Sequence, residues 1–150
     1  MDVYRVGAIG GAIAATVQVP GSKSVANRAL VCAALANGTT VLDNLPDGDD
    51  TEAMLDCLEA LGLDVVRDSG SATIEGGVER FKAGSATLPT RLAGTTSRFI
   101  TAVAALGRGA YTIDGLPPLR RRPMGDLHQA LHDMGASVVA LAVEGHLPVR

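Results

Sequence analysis

The spacing of apolar residues changes period several times along the chain, and each change predicts an element. "AIAATVQVP" ends in alternating apolar and polar positions, the period of a half-buried strand, and Pro20-Gly21 closes it. Residues 24–36, rich in Ala and Leu, predict a helix that stops at Asn37-Gly38. "TTVLDNL" predicts a strand. "DGDDTEAMLDCLEALG" predicts a second helix, capped by Asp49 or Asp50, with Met54, Leu55, Leu58 and Leu61 on one face and Gly62 at its end. "LDVVRD" and "SATIEG" then predict two short strands joined around Ser69-Gly70. The order is β-α-β-α-β-β.

The same order recurs. "GTTSRFITAVAALGRG" predicts a helix, "AYTIDGLP" a strand, "PMGDLHQALHDMG" a helix and "ASVVALAVEGHLPVR" two strands. Letters repeat as well as pattern: "AALANGTTVLDNLP" lies over "AALGRGAYTIDGLP", with Asp43 falling on Asp114, and "LEALGLDV" lies over "LHDMGASV", with Gly62 falling on Gly135. An internal repeat of this kind excludes a single Rossmann unit, whose strands all run parallel. Paired strands closing each copy imply mixed sheets packed on helices. The expected class is α/β, two repeated β-α-β-α-β-β units.

Composition narrows the function classes. The chain is 47% hydrophobic, which opposes disorder, yet no apolar run reaches the roughly 18 residues of a membrane span. A net charge of −3 and 3% aromatic residues oppose a nucleic-acid partner held by many phosphate contacts or base stacking. Cys32 and Cys57 each fall in a helical apolar pattern and read as two buried thiols in a reducing, cytoplasmic setting. No cofactor and no metal are expected. His128 and His132 stand four apart on a helix but without an HExxH pattern, so a solvated or capping role is expected for both; His146 carries no signal.

The chemistry is carried by cations placed where a helix does not want them. A helix N-terminus already bears about +0.5 of a charge. The helix at 50–62 opens on Asp47, Asp49, Asp50 and Glu52, the ordinary arrangement. Three other starts oppose it. The first carries Lys23 with Ser22, Ser24 and Arg28. The third carries Gly94, Thr95, Thr96 and Arg98. The fourth follows Arg120, Arg121 and Arg122, with Pro123 placed as its first residue. Cations combined with hydroxyls or glycine at free N–H groups form anion sites, for phosphate or carboxylate oxygens. Arg120 and Arg121 also fit plain surface charge, and Arg122, abutting the helix, is the better candidate. A P-loop is excluded because Ser22, not Gly, precedes Lys23. Asp43 and Asp114, at equivalent strand ends, fit turn chemistry.

"PGSKSVANRAL", "LAGTTSRF" and "RRRPMGDLHQAL" together resemble the N-terminal third of the 5-enolpyruvylshikimate-3-phosphate synthases. That resemblance implies a two-lobed enzyme, each lobe three copies of the β-α-β-α-β-β unit. Residues 1–20 are then a strand segment of the other lobe, 21–80 the first unit and 81–150 the second, with a third unit and a second lobe absent. It implies transfer of the enolpyruvyl group of phosphoenolpyruvate to the 5-hydroxyl of shikimate 3-phosphate, with loss of phosphate. Lys23 would contact both substrates as the catalytic residue; Ser24 and Arg28 would hold shikimate 3-phosphate; Gly94 and Thr95 would line the phosphoenolpyruvate side and Arg122 would grip it. Ser22, Thr96, Arg98 and Arg120 are weaker candidates.

Two positions depart from the family pattern. Leu92 stands where an asparagine amide is usual, and Phe99 replaces a proline. The family's acid–base carboxylates lie beyond the matching segment, so the 150 residues alone are expected to be inactive. Two alternatives stand beside this reading: part of a UDP-N-acetylglucosamine enolpyruvyl transferase, or a non-catalytic module that binds anions or a protein. Apolar surface left by an incomplete lobe also predicts self-association.

Overall fold

The computed structural model describes residues 3–17 and 19–150. Its elements are α1 (Lys23–Leu35), β1 (Gly38–Leu42), α2 (Asp49–Leu61), β2 (Asp64–Asp68), β3 (Ser71–Gly76), β4 (Ser85–Pro89), α3 (Gly94–Ala104), β5 (Ala110–Asp114), α4 (Pro117–Arg120) and α5 (Gly125–Asp133).

Small residues let α1 lie close to its neighbours: Ala26, Leu30, Ala33 and Ala34 are buried along one face. At the crossing with β3, a side chain on Gly76 would run into the carbonyls of Ala33 and Ala36, so only glycine allows the approach. α2 buries Met54, Leu55, Leu58 and Leu61, the face its period predicts. It ends on Gly62 at φ 110°, whose N–H donates to the Glu59 carbonyl while the Leu63 N–H reaches the Leu58 carbonyl. Its start corrects the expected cap. Gly48 holds the non-helical N-cap backbone, and Asp49 and Asp50 sit inside the first turn, where carboxylates still complement the dipole.

Strands β1-β3-β2 form an antiparallel sheet, with Thr73 of β3 opposite both Val41 and Val66. Period two then turns Ala72 and Ile74 inward and leaves Val41 and Val66 exposed. β4 and β5 pair in parallel with Leu88 beside Ile113, the geometry a crossover through α3 requires. Ile113 also exchanges both backbone hydrogen bonds with Val149, at 2.8 and 3.1 Å, in antiparallel sense, which makes this second sheet mixed. One apolar cluster, including Leu30, Met54, Leu58, Ile74, Leu88, Ile100, Ile113 and Val149, joins both sheets and the helices between them. Each such large side chain contributes about 1.5–3 kcal/mol by leaving water.

The β-α-β-α-β-β order is realised only in part. The expected strand over 12–20 includes Gln18, which lies outside the described residues, as do Met1 and Asp2. Its other residues form no strand, and Val17 and Val19 are exposed, because no strand of the described residues pairs with them. The two strands expected in 136–150 are reduced to isolated bridges at Ala140–Val149 and Ile113–Val149. α5 begins at Gly125 with Met124 as N-cap, so Pro123 precedes the helix. A proline opens α4 instead, at Pro117, and α4 was not predicted. Cys57 is buried as expected, whereas Cys32 is exposed on the outer side of α1. His128 is buried among the α5 contacts, where solvent was expected, and His132 is exposed. No helix among the described residues is long and apolar enough to cross a membrane.

Candidate functional site

Helices α1, α2 and α3 begin beside one another, pinned by a closed set of polar links. Lys23 Nζ lies 3.0 Å from Asp50 Oδ2 on α2. The Asp50 backbone carbonyl accepts the Thr96 hydroxyl of α3 at 3.1 Å. Thr96 Oγ1 in turn accepts Asn27 Nδ2, one turn along α1 from Lys23, at 3.2 Å. Asn27 and Thr96 are fully buried, so this part of the set is shielded from water and strengthened by it. Lys23 remains exposed at its outer end.

The start of α3 has no side-chain cap and no acid in its first turn. Gly94 leaves room there for an arginine: a Cβ on it would lie 2.6 Å from Arg122 Nη1 and 3.6 Å from Arg98 Nη1. Arg98 is tied down, donating to the carbonyls of Gly94 at 2.9 Å and Pro123 at 3.0 Å, which holds the segment before α5 against α3. The Arg122 guanidinium has no hydrogen-bond or ion-pair partner among the described residues, and the residue is exposed. Arg28 donates to the Ser24 carbonyl at 2.7 Å and stands 5.7 Å over the ring of Phe99, a cation–π contact that a proline at 99 could not give. Ser22 is the α1 N-cap without a side-chain cap bond, Ser24 is exposed, and Thr95 is half-buried.

Lys23, Ser24 and Arg28 thus stand in the first two turns of α1, which adjoins α3 through Asn27–Thr96 and Arg28–Phe99, and Arg122 lies against Gly94 at the start of α3. Arg120 does not face the same partners. It forks onto Asp114, with Nε–Oδ1 at 2.9 Å and Nη2–Oδ2 at 2.6 Å, and those bonds raise its pKa. The Thr96 hydroxyl is used inside the fold. The face is open. A cavity of about 410 Å³ lies at the far end of α3, against Thr101, Gly107, Arg108 and Val139, and another of about 390 Å³ lies between Leu45, Thr51 and Arg67.

Behind the cations stands an acidic wall on α2. Arg67 reaches Glu52 at 2.7 Å, Asp56 at 2.9 Å and Glu59 at 3.0 Å; Arg91 reaches Asp49 at 2.7 Å and Asp56 at 2.5 Å. Hydrogen bonds to Asp49 and then Asp56 raise the Arg91 pKa. Burial, with the neighbouring Asp56 charge, pushes the Cys57 thiol up to about 12, so it stays protonated. Reading the residues alone missed Asp50 as the partner of Lys23: it was legible as a first-turn acid, but nothing local links it to α1. Free N–H groups at two helix starts, three cations and two hydroxyls can bind an anion carrying several oxygens.

The family model for EPSP synthase (3-phosphoshikimate 1-carboxyvinyltransferase) matches residues 8–150. The 3-phosphoshikimate 1-carboxyvinyltransferase of Nostoc punctiforme is 42% identical over 150 residues, covering 99% of this chain and 35% of the relative. That of Nitrosomonas europaea is 45% identical over 135 residues, covering 89% and 31%. The solved EPSP synthase from Acinetobacter baumannii superposes with a TM-score of 0.81 at 30% identity, over 89% of this chain and 31% of that one. The chain thus spans about a third of the length of the relatives it matches.

Proposed function

Because the chain belongs to the EPSP synthase family, we propose that it supplies one anion-binding face of a 3-phosphoshikimate 1-carboxyvinyltransferase. That enzyme joins the 5-hydroxyl of shikimate 3-phosphate to the enol carbon of phosphoenolpyruvate, and the tetrahedral adduct then expels phosphate. The observation that carries the reading is Arg122 lying against Gly94 at the start of α3, where neither an acid nor a side-chain cap stands, next to the α1 start that carries Lys23 and Arg28. In this reading Lys23 stands at the reacting centre, steadied by Asp50. Ser24 and Arg28 hold the shikimate phosphate, and Gly94, Thr95 and Arg122 hold phosphoenolpyruvate. Fixed positive charge serves both the bound anions and the charge that shifts during addition and elimination. Ser22 flanks the site, while Thr96, Arg98 and Arg120 shape it from behind.

The finer architecture belongs to the same proposal. Residues 21–80 and 81–150 are two copies of one unit, and residues 1–20 serve the other lobe. The exposed Val17, Val19 and Val66 favour self-association of the isolated chain, and the setting is cytoplasmic. The test is an amide NMR titration of the chain with shikimate 3-phosphate, phosphoenolpyruvate and UDP-N-acetylglucosamine. The first two are expected to shift Lys23, Gly94 and Thr95. Preference for the nucleotide sugar, or shifts only elsewhere, overturns the reading. Proton transfer needs a group within hydrogen-bond reach, and the family's carboxylates lie outside this segment, so the chain by itself is expected to release no phosphate from the substrate pair.

A further inference from the structure

We infer that Arg91 is a positioning residue for this face, a role that rests on the proposed function and adds to it a side chain that does not touch the anion. Three observations carry it. Arg91 has φ +49°, a left-handed backbone that suits glycine and strains a residue with a Cβ. Its carbonyl accepts the Leu116 N–H at 2.8 Å, which ties it to the turn leading to Arg120 and Arg122. Its guanidinium spans two carboxylates of α2, Asp49 at 2.7 Å and Asp56 at 2.5 Å.

Each end of this clamp is one step from the site. Asp49 precedes Asp50, which holds Lys23; Arg91 is three residues before Gly94, against which Arg122 lies. A glycine at 91 would adopt the backbone at less cost but could not reach α2. The arginine therefore accepts the strain and fixes the spacing between the Lys23 pole and the Arg122 pole. Two poles gripping one multiply charged ligand work together only when that spacing matches the ligand.

The experiment uses the 150-residue chain, its amide spectrum without ligand, its thermal melt, and inorganic phosphate as the probe. In Arg91→Gly the relaxed backbone offsets the lost ion pairs, so the melting midpoint is expected to hold. The resonances of Asp50, Gly94 and Thr95 move, and phosphate binding weakens about tenfold. Arg91→Lys, a point charge that satisfies one carboxylate at a time, recovers part of the loss, to about threefold. Asp49→Asn moves the same resonances. Unchanged resonances at Gly94 and Thr95 with unchanged phosphate affinity overturn the role, as does a loss of affinity that only follows a spectrum-wide loss of structure. If phosphate shifts nothing in the unsubstituted chain, the proposed function fails. The ligand-free positions of Gly94 and Thr95 in Arg91→Gly still decide the role of Arg91.

Discussion

Helices α2 and α3 start side by side and are dressed in opposite ways. The first turn of α2 holds Asp49, Asp50 and Glu52, and the cations that neutralise them, Lys23, Arg67 and Arg91, arrive from other elements. The first turn of α3 holds no acid, and Arg122 lies against its opening glycine. At α2 the chain supplies both the complement to the helix dipole and the counter-charge to that complement. At α3 it stacks positive charge on the positive end of the dipole and provides no side-chain anion. The first arrangement is balanced within the chain itself. The second is balanced only when something negative arrives from outside, and that asymmetry separates a structural end from a binding end.

The largest effect that sharpens this contrast is expected from Arg122→Ala. A charged hydrogen bond to phosphoenolpyruvate is worth about 1.5–3 kcal/mol, so affinity in a titration should fall about 10- to 100-fold. The melt should stay within about 0.5 kcal/mol, since the Arg122 side chain has no partner among the described residues to lose. Lys23→Ala should weaken binding by a comparable but smaller factor, because it leaves the Asp50 carboxylate without its cation. A stability loss with unchanged binding in either variant would make the α3 end as structural as the α2 end.

How much of this was legible depended on where each partner comes from. The helices were readable because burial follows their period: Met54, Leu55, Leu58 and Leu61 fall inside as the 3.6-residue spacing dictates. β4 gave no clear alternation, and Pro89 at its end weakens any strand signal, so its identity comes from pairing with β5 across α3. The strand expected before α1 had the right alternation, but alternation cannot supply a partner ladder. In the site, residue types at the helix starts were readable and their availability was not. Arg98 is bound by the carbonyls of Gly94 and Pro123, and backbone acceptors leave no mark in a sequence. Arg120 is bound by Asp114, six residues earlier, an acid that read as turn chemistry. Arg91 and Asn27 went unremarked because their roles exist only once α1, α2 and α3 are brought together.

A smaller effect is expected where the charges are already balanced. Arg67→Met removes contacts to Glu52, Asp56 and Glu59 on the partly exposed face of α2. Exposed pairs contribute about 0.2–1 kcal/mol each and are screened by salt, so the loss should be about 1 kcal/mol at low ionic strength and less at high. Phosphoenolpyruvate binding should not change. A tenfold fall in affinity would mean that the whole acidic wall, rather than its Arg91 clamp, sets the geometry of the face.

The smallest effect is confined to mild acid and falls on the binding end. His128 is buried on α5 with its Nε2 unpartnered, and burial lowers its pKa below the ordinary 6.5, with Glu144 opposing and His146 reinforcing the shift. The native state therefore resists a proton that the unfolded chain accepts. The stability due to neutral His128 is whole above about pH 6.5 and is lost as pH falls through the lowered native value. The side chain sits one turn into α5, where the Met124 N–H donates to the Gly145 carbonyl at 2.8 Å. Amide exchange near residues 124–128 and 145 should quicken in this window before α2 responds, since the three histidines all lie at position 128 or later. His128→Gln keeps a polar side chain without a titrating proton and should flatten the fall of the melting midpoint as pH drops below 6.5. An unflattened profile would remove His128 as the source of the acid response.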